Sequence, residues 1–171
     1  MKENTYYYGR LVTKDWSLYL VATKDGLCFI GSENRGLEEV KAWLKKTRRP
    51  IDHLVEDFEK VKKYADELEQ YMDGERKNFQ LPIVLQGTPF QEAVWATLQQ
   101  IPFGETKSYS DVADSIGKPK AVRAVGTAIG ANPLPIVVPC HRVIGKSGKL
   151  TGYRGGIAMK KKLLDLEGVS I

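Results

Sequence analysis

Cysteine and histidine are scarce in this chain: Cys28, Cys140, His53 and His141 are all there is among 171 residues. Two thiols cannot build the disulfide framework of a small secreted scaffold. No Cys-x-x-Cys or His-x-x-x-His pair occurs, so no metal site is expected. No apolar run approaches the length of a membrane span, and Met1 to Arg10 lacks the apolar stretch of a secretory signal. Internal repeats and low-complexity segments are missing too. These absences lead to the expectation of a cytoplasmic globular protein with reduced thiols and no membrane partner. Net charge is absent from the first half only. Residues 1–85 hold fifteen basic and fifteen acidic side chains, whereas 86–171 hold eleven and six, so the whole excess of +5 lies in the second half. That is the half to search for a polyanion site.

What is present divides at the same place. In residues 1–85, Tyr6-Tyr7-Tyr8, Leu11-Val12, Leu18 to Val21 and Leu27 to Ile30 are β-rich runs, and Lys24-Asp25-Gly26 supplies a hairpin turn. Leu37 to Lys46 reads as an amphipathic helix. Pro50 opens a longer one to about Met72, with Leu54, Phe58, Val61, Ala65 and Leu68 at helical spacing. Phe79 to Leu85 reads as a short strand closing the sheet. The expectation is an α+β chain: a small antiparallel sheet with helices over 1–85, then a mainly helical unit over 86–171. In that second unit Thr88-Pro89-Phe90-Gln91 is a helix start with cap, proline and capping-box glutamine in place. Ser108 and Asp111 open a short helix over Tyr109 to Ile116, Gly117-Lys118-Pro119 turns the chain, and a third helix runs from about Lys120 to Gly130.

Two helices joined by a tight turn fit a plain helical hairpin or a helix-turn-helix. The third helix tilts the choice toward the latter. Val122, Val125 and Ile129 form its buried face; Arg123, Ala124, Thr127 and Gly130 form the opposite one. Interior glycines at Gly126 and Gly130 cost about 1 kcal/mol each, for which close approach of another backbone is a reason. A small-residue face with one arginine can lie in a DNA groove, and it lacks the Asn, Gln or Lys that would read bases. Further on, Asn132-Pro133-Leu134-Pro135 forces an irregular turn before Pro139-Cys140-His141-Arg142-Val143. A cysteine after an apolar run is usually inert core. A histidine and an arginine beside it suit a thiol at a pocket floor with a base in reach. Gly152 to Gly156 is a flexible loop, either plain surface or able to wrap a planar ligand. The last helix, Ile157 to Glu167, buries Met159, Leu163 and Leu166, and Glu167 sits where the helix dipole disfavours a carboxylate. It is either an ordinary solvated end residue or a partner for His141. Cys28 and His53 are assigned to structure.

The strings Pro139 to Val143, Gly104-Glu105 with Ser108-Tyr109, Arg123 to Gly126, Asn132-Pro133, Gly155-Gly156 and Glu167-Gly168 together resemble the O6-alkylguanine-DNA alkyltransferases, over about residues 86–168. The resemblance implies that Cys140 is nucleophile and alkyl acceptor, His141 its base through one water, and Glu167 the group that orients His141. Tyr109 donates a proton to the guanine ring and Asn132 braces the turn. Arg123 replaces a flipped base, with Ala124, Gly126, Thr127 and Gly130 along the minor groove. Val143, Tyr153, Arg154 and Gly155 line the base pocket. The implied activity is one irreversible transfer per molecule from O6-methylguanine, and from O4-methylthymine, in double-stranded DNA, by a monomer without cofactor. The chemistry is consistent: an extruded base is reachable, a protonated guanine leaves well, and a thioether does not hydrolyse. Two other readings compete. A lesion-binding relative transfers nothing, but such proteins have tryptophan where Cys140 stands. A cysteine hydrolase would need an oxyanion site that is not evident.

Overall fold

A computed structural model describes residues 5–49 and 53–170. The chain divides into two compact units between Val84 and Leu85.

In the first unit β1 (Tyr6–Val12), β2 (Ser17–Thr23) and β3 (Gly26–Ile30) form an antiparallel meander, and β4 (Leu54–Glu56) pairs parallel with β1, giving the order β3-β2-β1-β4. The β2–β3 turn depends on Gly26. Its φ is +151°, and a Cβ there would stand 2.7 Å from the Pro82 carbonyl oxygen. Every residue of β3 is buried, as in a strand covered on both faces. On one face, Val40 and Leu44 of α1 (Leu37–Lys46) pack with Tyr6, Val21, Cys28 and Phe29, and Trp43 stacks on Phe29 at 4.7 Å. Cys28 is structural: its thiol donates to the Val21 carbonyl, and burial pushes it up to about 12. Val61, just before α2 (Lys62–Met72), packs on β1 at Gly9, where a Cβ would meet its Cγ2 at 2.7 Å.

Two expectations change here. The start of a helix at Pro50 lies outside the described residues. Within them, Leu54–Glu56 is strand and Phe58–Lys60 a 3₁₀ turn before α2 begins. The apolar positions at helical spacing are drawn into pairing with β1, continued by Asp57 N–H donating to the Tyr8 carbonyl at 2.9 Å; a free strand edge overrides local preference. The sheet is therefore mixed. Phe79 to Leu85 adds only a bridge between Leu27 and Ile83, because Pro82 has no N–H to extend a ladder.

The second unit opens with α3 (Pro89–Leu98), whose capping box is closed both ways between Thr88 and Gln91. After β5 (Lys107–Ser108), α4 (Tyr109–Ser115) is capped likewise by Ser108 and Asp111. It ends in a Schellman turn, with Gly117 at φ +73° and Lys118 N–H donating to the Ala113 carbonyl. A further turn, Ala121 N–H to the Lys118 carbonyl, delays α5 (Val122–Gly130) by two residues from the expected start. Trp95 of α3 donates its indole N–H to the Ala128 carbonyl at 2.8 Å and fixes α5. Cys140–Arg142 is a 3₁₀ turn leading into β6 (Val143–Ile144), and α6 is Ile157–Leu166. β5 and β6 pair in parallel, Lys107 with Val143 and Ser108 with Ile144. This short ladder sets the first residue of α4 beside the cysteine turn.

Candidate active site

The turn that presents Cys140 is built by its prolines and Asn132. Pro139, at φ −78° and ψ 66°, makes an inverse γ-turn, closed by Cys140 N–H donating to the Val138 carbonyl at 2.7 Å. Ile136 is buried at φ +76°, a conformation costly for a β-branched residue, about 1–3 kcal/mol. Asn132 holds the segment from within. Its Nδ2 donates to the Val138 carbonyl at 2.8 Å, and its Oδ1 accepts from Leu134 N–H at 2.9 Å.

His141 is fully buried, and its Nε2 donates to Glu167 Oε2 at 2.6 Å. The same carboxylate accepts from Arg142 Nε at 2.8 Å, Arg142 Nη2 at 3.0 Å and Gly104 N–H at 3.0 Å. Arg142 Nη1 donates onward to the Ile101 carbonyl at 2.6 Å. A second Schellman turn sets Glu167 there: it is the last residue before Gly168, whose φ is +78°, and Val169 N–H donates to the Leu164 carbonyl. Burial by itself raises the Glu167 pKa. The hydrogen bonds from His141 and Arg142 outweigh it and hold the carboxyl well below its usual range. Burial pushes His141 down against the pull of Glu167, with Arg142 and Lys160 adding to the push. The imidazole is therefore neutral, with its proton on the nitrogen facing Glu167. Its Nδ1 is buried with no hydrogen-bond partner. Burial also raises the Cys140 thiol, while Asn132, Arg154, Tyr153 and Lys160 draw it down. The resting pair is thus neutral thiol and neutral imidazole, and no hydrogen bond joins them directly among the described residues.

Tyr109 is half-buried, its hydroxyl 2.7 Å from Thr151 Oγ1. Val143 is buried in β6, and Tyr153 and Arg154 are half-buried within electrostatic reach of the sulfur. A Cβ on Gly155 would run into Met159 Sδ, so the glycine lets the loop close on α6 without displacing that side chain. Cys140, His141, Glu167, Asn132, Tyr153 and Arg154 thus form one cluster, with Tyr109 tied to Thr151 beside Lys160. Arg123, Ala124, Thr127 and Gly130 are exposed on α5, with Gly126 half-buried. Close approach of the protein's own backbone does not explain the two glycines. A Cβ at Gly126 would lie 3.9 Å from the Tyr109 ring, and one at Gly130 would meet nothing within 4 Å. The small face is turned outward.

Two residues of the cluster escaped the sequence reading, and so did the carboxylate partner of Arg142. Thr151 carries no local mark of its role. Lys160 does: it lies on the buried stripe of α6 with Met159, Leu163 and Leu164, where Leu166 was expected and is only half-buried. A lysine three and four residues from apolar neighbours was the available signal.

Models of known families match both units: "6-O-methylguanine DNA methyltransferase, DNA binding domain" over residues 89–169 and "6-O-methylguanine DNA methyltransferase, ribonuclease-like domain" over residues 6–85. The inducible methylated-DNA–protein-cysteine methyltransferase of Bacillus subtilis is 58% identical over 163 residues, covering 95% of this chain and 90% of its own. A methylated-DNA–protein-cysteine methyltransferase of Methanosarcina acetivorans is 44% identical, covering 84% and 92%. Among solved structures, the O6-methylguanine methyltransferase of Mycobacterium tuberculosis is similar at a TM-score of 0.80 and 41% identity, covering 95% of this chain and 93% of that one. The same organism's OGT in complex with DNA is similar at 0.78 and 42%, covering 94% and 92%. Among the described residues no helix is long and apolar enough to cross a membrane.

Proposed function

The chain belongs to the 6-O-methylguanine DNA methyltransferase family, and on that premise we propose that it repairs DNA by moving the alkyl group of O6-alkylguanine onto Cys140, once and irreversibly. The observation that carries this reading is the buried Glu167–His141 pair, whose remaining imidazole nitrogen lies unpartnered beside the cysteine turn.

With Nε2–H committed to Glu167, Nδ1 holds the lone pair. The thiol proton passes to it through one water, and the thiolate attacks the alkyl carbon in line with the C–O6 bond. Glu167 stays a carboxylate, because Arg142 and Gly104 stabilise its charge, so the proton rests on the imidazole. Electrons of the breaking bond flow into guanine, and Tyr109 gives its proton to the ring. The thioether leaves no route for regeneration. Cys140 is 6% exposed, so the pocket around it opens to admit the base.

Reaching O6 also requires the nucleotide to leave the duplex. The outward face of α5 suits a minor-groove approach that is indifferent to sequence, with Arg123 filling the gap in the stack. Guanine and thymine lesions share the alkyl–oxygen bond, and O4-methylthymine is included in the proposal. The proposal has it act in the cytoplasm, as a monomer. Duplex DNA carrying a labelled methyl on guanine O6 tests the reading. Stoichiometric label on the Cys140 peptide is expected. Label left on the DNA means binding alone, and released label with turnover means hydrolysis.

A further inference from the structure

We infer that Lys160 is a positioning residue of the transfer reaction: from the first turn of α6 its ammonium group fixes Thr151 against Tyr109 and supports the negative charge that passes from the Cys140 sulfur toward guanine and the Tyr109 oxygen. The inference rests on the alkyl-transfer reading and extends it to a group that reading does not use.

Lys160 is 1% exposed, and no carboxylate pairs with it among the described residues. Its Nζ donates to the Thr151 carbonyl at 3.3 Å and lies 5.9 Å from the centroid of the Tyr109 ring. Thr151 Oγ1 in turn meets the Tyr109 hydroxyl at 2.7 Å. Burying an ammonium without a counter-ion is expensive, and a methionine or leucine would suit this stripe at no such cost. The titratable groups facing it are Tyr109 from α4 and Cys140 and His141 from the 3₁₀ turn, while Arg154 of the loop acts on the same sulfur. On α6 itself Lys161 and Asp165 pair with each other at the surface, 2.9 Å apart. Lys160 therefore lies beside the ring of Tyr109 and within electrostatic reach of Cys140, the two residues that become anionic. The sulfur does so when its proton moves to His141. The phenol oxygen does so when Tyr109 protonates guanine as the S–C bond forms and the C–O6 bond breaks. The proton held by His141 equals the one Tyr109 gave up, so the count closes through solvent without a further reactant.

Burial lowers Lys160 to about 8, and the Cys140 anion pulls the other way. Below that pH the cation is present; above it the support is lost. Single-turnover transfer from saturating methylated duplex, and from free O6-methylguanine, is followed between about pH 6 and about pH 10. The wild type is expected to slow through an alkaline limb near about 8. K160R, charged throughout, loses that limb. K160M is slower by roughly 10²-fold across the range, without a limb. A limb unmoved in K160R, or K160M within about twofold of wild type, overturns the role of Lys160. A wild type that leaves the methyl on DNA sinks the transfer reading instead. Should the variants fail to fold, the ¹³Cε resonance of Lys160 in the wild type decides. A midpoint near about 8 supports the inference; one at the ordinary 10.5 overturns it.

Discussion

The Glu167 carboxylate binds His141, Arg142 and Gly104 at once, and removing its charge separates two roles. Glu167→Gln leaves the Arg142 cation buried beside a neutral amide. An expected loss of ~3–5 kcal/mol, read by urea unfolding, accompanies slower transfer. A loss under about 1 kcal/mol would contradict the network as described. The pH dependence has a definite sign. His141 and Glu167 both have folded pKa values below their ordinary 6.5 and 4.5, so the unfolded chain binds more protons. Their contribution to stability is complete above about 6.5 and declines as pH falls, first through His141 and then through Glu167. Denaturation midpoints measured from neutral to acid pH check this, and His141→Asn should flatten the upper part of the decline. Cys140, His141 and Asn132 were legible in the sequence because adjacency and proline carry local meaning. Glu167 stood out by contradicting its helix end. The partner of Arg142 and the role of Thr151 were not legible, since what these residues touch lies 25 and 42 residues away along the chain.

At the scale of elements, α5 presents Arg123 to the outside while Trp95 anchors its inner side. Arg123→Ala is expected to slow transfer from duplex DNA by at least about tenfold and to leave a free base nearly unaffected; equal loss on both substrates contradicts a role in filling the stack. Gly168 supplies a φ of +78°, and a Cβ there would meet nothing within 4 Å. Gly168→Ala should therefore cost only the backbone penalty, about 1–2 kcal/mol, measured as a shift in thermal midpoint. Caps and turns of this kind were readable because each is settled within a few residues. β4 was not. Its three residues become strand only by pairing with β1, from which they are separated by two strands and a helix. Periodicity says nothing of such a partner.

For the whole molecule, all of the net positive charge belongs to residues 86–171. DNA affinity should fall linearly on a log–log plot against salt, whatever the duplex sequence, as titrations at several ionic strengths will show. Methylated protein should unfold at lower temperature than the free form, since a methyl added at a buried sulfur overpacks its surroundings by about 1–3 kcal/mol. The meeting of Gly104, His141, Arg142 and Glu167 has one more consequence. A sulfur that can be spent only once gains its base only after three distant stretches of chain have closed around a single anion. A copy clipped ahead of residue 167 lacks the carboxylate that orients His141 and is expected to transfer no alkyl group.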